Sequence, residues 1–325
     1  MAAIKIVASS HYLPKRQVSN DELSLLMDTS DEWIKSRTGI RHRRISEKEN
    51  TSDLCTKVAK QLLTKSGWDA ATLDLIIVAT MSPDCYTPAT AAIVQGKIDA
   101  NQAIAFDLSA ACSGFVYALV VAENFIANST CKRVMVIGGE VLSKVIDWTD
   151  RTSAVLFGDG AAGVLLEKNQ TGESSFLAND LRTFGKLADR LQAGKTIPLG
   201  KFPTNSPHHY GAFKMSGRDV YTFATHQVPE SIKAAAQKSK LALNQIDWFI
   251  MHQANVRIIE QIAKRLAQPL DKFPVNIAAY GNTSAASVPI LLDELLDKKL
   301  IKRGQIIALS GFGGGLTVGT QLLKY

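Results

Sequence analysis

The sequence predicts an α/β protein assembled from two similar halves, and three observations carry that prediction. Short apolar runs rich in Val and Ile alternate with longer segments of helical spacing, the pattern of a buried mixed or parallel sheet. Four of these runs, LDLIIVAT (73–80), RVMVIGGE (133–140), DWFIMHQ (247–253) and QIIALSGFG (305–313), fall into pairs: Leu73 matches Ile246 at an offset of 173, and Val134 matches Ile306 at 172. The glycine-rich hairpin signals FGDGAAGVLL (157–166) and FGGGLTVGTQLL (312–323) pair in the same order at 155, the difference lying in extra residues between Gly139 and Phe157, DWTDR among them. Self-similarity repeated in one order marks a duplicated unit.

In chain order, the first helix signal is TSDEW, where Thr29 as N-cap and Glu32 three residues later have the form of a capping box. That helix sets Trp33 and Arg37, four apart, on one face. After the 73–80 strand, DLSAACSGFVYAL (107–119) places Cys112 among Ala110, Ala111, Ser113 and Gly114, ahead of an apolar helix. The 133–140 strand and its hairpin close a first half over residues 1–170. A polar linker rich in turn formers is expected within 167–210, through EKNQTGESS and KFPTNSPHHYG. In the second half, 171–325, an apolar strand ends at His252 and the loop of YGNTSAASVPIL carries Asn282. The main offset applied to Cys112 lands on Ser284, so a pseudo-twofold arrangement brings equivalent helix starts together. GFGGG (311–315) lacks both phosphate-loop patterns and reads as a tight turn that brings backbone N–H groups near the cysteine.

Composition narrows the class. The 325 residues are 46% hydrophobic and 21% charged, as in an ordinary soluble globular protein. Cys55, Cys85, Cys112 and Cys131 show no CxxC spacing, so neither a disulfide framework nor a metal site is expected. The segment MAAIKIVASSHYLP lacks the order of a targeting signal, and no apolar run is expected to reach the roughly 18 residues of a membrane span. A cytoplasmic protein without membrane contact is the expectation. A net charge of +7 suits an acidic protein or a phosphorylated ligand. With dispersed basic residues and no recognition motif, no nucleic-acid partner is expected.

The residue types also limit the chemistry. A thiolate attacks carbonyls far better than a thiol, and the N–H groups and dipole at a helix start favour the anion, so the Cys112 pKa is expected to fall. A neutral histidine and an asparagine amide can together donate to one carbonyl oxygen and stabilise a developing enolate, which suits decarboxylative carbanion chemistry. A Cys–His pair activating a hydrolase is the other use of such residues.

The segments TSDEWIKSRTGIRHR, AACSGFVYAL, DRTSAVLFGDGAAGVL, DWFIMHQANVRII, YGNTSAASVP and FGGG resemble the β-ketoacyl-acyl carrier protein synthase III family of the thiolase superfamily. The resemblance implies a thiolase-like five-layered αβαβα fold of two duplicated halves, a homodimer, and no permanently bound cofactor. It implies that acyl-CoA acylates Cys112, and that malonyl-acyl carrier protein then loses CO2 and condenses with the acyl group. By residue matching, His252 and Asn282 hold the malonyl thioester carbonyl, the N–H groups of Cys112 and Gly314 form an oxyanion hole, and Phe312 lies beside the malonyl carboxylate. Trp33 and Arg151 sandwich the adenine of CoA, with Arg37 near its phosphates. Gly217, Tyr221, Ala254 and Asn255 line the pantetheine channel, Tyr221 replacing a common phenylalanine. Gln253, Ala254, Asn255, Val256 and Arg257, with Lys264 and Arg265 further along the helix, meet the acyl carrier protein. Thr87 stands where many relatives have phenylalanine, as a gate to the partner subunit's acyl pocket; a smaller side chain there leaves room for longer or branched starters. A related condensing enzyme of secondary metabolism, with the same three residues and a different second substrate, is the competing implication.

Overall fold

A computed structural model describes residues 4–128, 130–169, 175–196, 198 and 211–325. The first half runs β1 (Ile4–Tyr12), β2 (Arg16–Ser19), α1 (Asn20–Ser24), α2 (Asp31–Thr38), β3 (His42–Ile45), α3 (Thr51–Ser66), β4 (Leu75–Ala79), α4 (Thr90–Lys97), β5 (Ile104–Leu108), α5 (Gly114–Asn128), β6 (Arg133–Glu140) and β7 (Gly160–Lys168). The second continues with β8 (Phe176–Thr183), β9 (Leu191–Gln192), β10 (Lys214–Met215), α6 (Gly217–Lys238), β11 (Trp248–Met251), α7 (Val256–Leu266), α8 (Ile277–Tyr280), α9 (Ser287–Asp297), β12 (Ile306–Gly313) and β13 (Thr317–Lys324).

Two mixed sheets form the frame, ordered β1-β7-β6-β4-β5 and β11-β12-β13-β8. In the first, β4 lies parallel to β5 and β6 while β7 runs antiparallel to β6 and β1; the second repeats the scheme, β11 parallel to β12 and β13 antiparallel to β12 and β8. Every β4 residue is buried, because alternate side chains feed two different cores. Leu75, Ile77 and Ala79 join α5 and α9 between the sheets. Ile76 and Val78 join α3 and α4 outside. On the far side, α6 and α7 cover the second sheet through Phe249, Met251, Ala308 and Leu322. The layers are therefore helix, sheet, helix, sheet, helix: the five-layered thiolase-like fold.

The duplication holds, with one change of register. Ala111 and Ser284 both adopt left-handed backbone, at φ 47 and 48, each opening a short 3-10 turn before α5 and α9 respectively. The geometric counterpart of Cys112 is therefore Ala285, one residue beyond the Ser284 expected. The third offset shrinks because β6 and β7 are joined by residues 141–159, whereas β12 and β13 are joined by 314–316.

Three local expectations are corrected. The N-cap of α2 is Ser30, whose hydroxyl accepts from the Trp33 N–H, and the Thr29 hydroxyl is buried without a hydrogen-bond partner. The second sheet starts inside the expected linker, at Phe176 in β8; most of KFPTNSPHHYG and the QTGES part of EKNQTGESS lie outside the described residues. Residues 111–128 are, by length and composition, apolar enough to cross a membrane. Here they form the central helix, burying Phe115, Val116, Leu119 and Ile126 between the two sheets.

Candidate active site

The small residues around Cys112 allow a close crossing of backbones. A Cβ on Gly313 would lie 2.7 Å from the Cys112 N, and one on Gly311 would lie 2.9 Å from the Cys112 carbonyl oxygen. Glycine at these positions lets the end of β12 run against the turn that presents the thiol. Gly314 sits against Ala111, the residue before Cys112.

The other two candidate side chains come from the second half. His252 extends β11 by one residue, its N–H donating to the Ser310 carbonyl at 2.8 Å, and its ring meets the edge of Phe312 with centroids 5.1 Å apart. Asn282 is held at both backbone polar groups: its N–H donates to the Leu156 carbonyl, and its carbonyl accepts from the Gly158 N–H. Its side-chain Oδ1 accepts from the Ser284 N–H at 2.8 Å, which leaves the Nδ2 donor for the cavity.

Cys112, His252, Asn282 and Phe312 share one cavity of about 210 Å³ with Trp33, Arg37, Gly217, Tyr221, Ala254 and Asn255. Trp33 and Arg37 stand at its outer end, the guanidinium 4.5 Å from the indole centroid. Arg151, held by Asp28, lies 5.6 Å from the same ring. Neither Thr87 nor Gly314 lines this cavity; Thr87 is exposed on the loop between β4 and α4.

Burial reverses the expected electrostatics of the thiol. It pushes Cys112 up to about 12, the Ser284 hydroxyl only partly opposing it and the Glu140 carboxylate adding to it. Desolvation of the thiolate thus outweighs the helix start. Glu140 ends β6 fully buried, accepting hydrogen bonds from the Thr80 and Ser82 hydroxyls and from the Met81 and Ser82 N–H groups. Burial raises its carboxyl to about 7. The same effect drives His252 down to about 3, so the imidazole is neutral at any working pH.

The expected docking segment divides. Gln253 is 1% exposed and cannot meet a partner; its amide joins the Met251 carbonyl to the Asn276 N–H. Val256 packs inward against Gly39, the C-cap of α2. Asn255 caps α7 and donates to the Arg37 carbonyl, and Arg257 donates to the Ser36 carbonyl, so both tie α7 to the end of α2. Lys264 and Arg265 are exposed, Arg265 resting on His226.

Sequence reasoning missed the apolar wall of Phe157, Leu191, Phe213 and Met215. Phe213 and Met215 follow a long polar stretch and carry no periodic signal; Phe157 had a legible one, since it opens the hairpin motif beside Asn282. Also missed was Ser287, a hydroxyl in the first turn of an apolar helix. Away from the cavity, His11, Asp293 and Asp297 cluster, with Lys65 paired to both carboxylates.

Fold and site together define a thiolase-like acyltransferase. Residues 106–185 match the family described as 3-oxoacyl-[acyl-carrier-protein (ACP)] synthase III, and residues 236–325 match its C-terminal region. The chain is 57% identical over 325 residues to the β-ketoacyl-[acyl-carrier-protein] synthase III of Limosilactobacillus reuteri, with both chains covered in full. It is 54% identical to that of Lactobacillus helveticus, covering 99% of this chain and 98% of the other. The crystal structure of 3-oxoacyl-[acyl-carrier-protein] synthase III from Aquifex aeolicus superposes with a TM-score of 0.91 at 40% identity, covering 99% of this chain and 100% of that one. The chain belongs to the β-ketoacyl-[acyl-carrier-protein] synthase III family.

Proposed function

We propose that this enzyme carries out the initiating condensation of fatty-acid synthesis through two steps in one cavity; the observation that carries the reading is the convergence of Cys112, His252 and Asn282 there. In the first step the Cys112 sulfur attacks the thioester carbonyl of an acyl-CoA. The N–H groups of Cys112 and Gly314 receive the oxyanion, the C–S bond to CoA breaks, and the thiol proton ends on the departing CoA sulfur.

In the second step the malonyl group of malonyl-acyl carrier protein loses CO2, and the electron pair of the broken C–C bond enters an enolate. Its oxygen accepts from His252 Nε2–H and Asn282 Nδ2–H. The enolate carbon attacks the acyl carbonyl, the bond to Cys112 sulfur breaks, the departing thiolate takes a proton from water to restore the thiol, and the product is a β-ketoacyl-acyl carrier protein. Phe312 gives the malonyl carboxylate an apolar neighbour, which favours its departure as neutral CO2. Cys112 and the substrates supply all the reacting groups, so no resident cofactor is required.

Trp33, Arg37 and Arg151 bind the nucleotide end of CoA, and Gly217, Tyr221, Ala254 and Asn255 border its pantetheine arm. A base between Trp33 and Arg151 needs about 7 Å, two contact distances of about 3.5 Å, so Arg151 swings outward from its present 5.6 Å. Arg257, Lys264 and Arg265 form the basic face for the acidic carrier protein. The enzyme is a cytoplasmic homodimer of two-half subunits divided near residue 170. Support for the dimer is β5, an edge strand with no partner on its outer side among the described residues and with Ile104 54% exposed, and Tyr86, 71% exposed on the loop between β4 and α4. Thr87, the residue directly after Tyr86, gates the partner's acyl pocket in this dimer.

Intact-protein mass spectrometry after mixing with a panel of acyl-CoAs, followed by labelled malonyl-acyl carrier protein, tests this. An acyl adduct on Cys112 followed by CO2 release is the expected result. No adduct from any acyl-CoA would overturn the scheme; an adduct without malonyl turnover would reassign the second substrate.

A further inference from the structure

Neutral imidazole carries one N–H, on Nδ1 or on Nε2, and only the second form aims a proton into the cavity. His252 is neutral, so something must choose between the two. Its Nδ1 lies 2.6 Å from the Ser287 hydroxyl, and both residues are buried. The same oxygen faces the Gln253 N–H at 3.4 Å, a group that can only donate. If Nδ1 also donated, the Ser287 hydrogen would need an acceptor, and the described residues offer it no other hydrogen-bond partner. With the hydrogen directed at Nδ1, every polar atom is used once. The Phe312 ring, with its centroid 5.1 Å from that of His252, offers no polar atom to compete.

We propose that Ser287 is a positioning residue whose hydroxyl donates to His252 Nδ1 and holds the ring as the Nε2–H tautomer. The duplication places this device: by the 173 offset Ser287 corresponds to Gly114, just after Cys112 in the first half. The helix start that presents the nucleophile in one half orients the donors in the other, through Ser284 N–H for Asn282 and Ser287 for His252. The catalytic value of the Nε2 proton rests on His252 acting as an enolate donor, as proposed above; the tautomer itself does not.

Nitrogen NMR of the whole enzyme labelled with 15N-histidine reads the tautomer directly, the His252 signals being assigned by their loss in His252→Gln. The expected wild-type spectrum has an unprotonated Nδ1 and a protonated Nε2. Ser287→Ala is expected to move both signals toward the opposite tautomer, and Ser287→Thr, which retains a hydroxyl, to keep them in place. A protonated Nδ1 in the wild type overturns the proposal without any variant, and so does an unchanged spectrum in folded Ser287→Ala. In the same variant, malonyl decarboxylation is expected to fall about 10- to 100-fold, somewhat less than the loss of a whole oxyanion donor. A switched tautomer with undiminished decarboxylation would leave the Ser287 assignment standing and remove the donor role of His252.

Discussion

Substituting Gly313 by alanine tests how closely the nucleophile depends on the glycine turn. The added methyl would sit 2.7 Å from the Cys112 N and 3.0 Å from its Cβ, where ordinary contact begins near 3.4 Å. Both are fixed at the start of a buried turn, so the turn, rather than a flexible side-chain end, must yield by about 0.7 Å. Overpacking of this kind costs about 1–3 kcal/mol of stability. A nucleophile displaced by close to 1 Å loses on the order of 10²-fold in rate. The assay is the rate of acyl-adduct formation on Cys112 by mass spectrometry, paired with thermal unfolding. Gly96→Ala is the control, because nothing lies within 4 Å of its Cβ position in α4, and it should hold or raise stability with acylation intact. A Gly313→Ala enzyme that acylates at the wild-type rate would refute the claim that this crossing sets the position of Cys112.

Three further outcomes follow from the same geometry. With its thiol pushed up to about 12, Cys112 should be alkylated by iodoacetamide about tenfold faster for each pH unit between 7 and 9.5; peptide mapping that shows a plateau below pH 9 would contradict the burial argument. The Glu140 carboxyl, raised from 4.5 to about 7, contributes stability that is full below pH 4.5 and lost as pH rises through 7. The stability difference between Glu140→Gln and wild type should therefore shift in favour of the variant by about 3 kcal/mol from pH 4.5 to pH 8, and denaturant unfolding that gives a pH-independent difference would count against it. Thr87→Phe should narrow the range of acyl-CoA starters, lowering turnover of branched and longer primers more than that of acetyl-CoA; an unchanged primer profile would remove Thr87 from the acyl pocket.

The strands were legible because their signal is local. RVMVIGGE coincides with β6 residue for residue, and QIIALSGFG is trimmed by one at its start. Successive residues of one strand, such as Ile76 and Ile77, enter different cores, and the sequence shows this only as an unbroken apolar run. The helix cap was less legible: Thr29 and Ser30 are adjacent acceptors, and the path of the chain selects between them.

By itself the sequence determined the α/β alternation and the duplication, and singled out Cys112, His252 and Asn282 as candidates that the fold brings to one cavity, because periodicity, repetition and side-chain type are written along the chain. Only the tertiary structure decided what surrounds them. Burial, which sums neighbours from many segments, turned the expected fall in the Cys112 pKa into a rise and took Gln253 out of reach of a partner. The contact between Ser287 and His252 joins residues 35 apart in the chain. No local pattern announces such a pair; it exists because two sheets close on α5 and α9 and bring the two helix starts to one cavity.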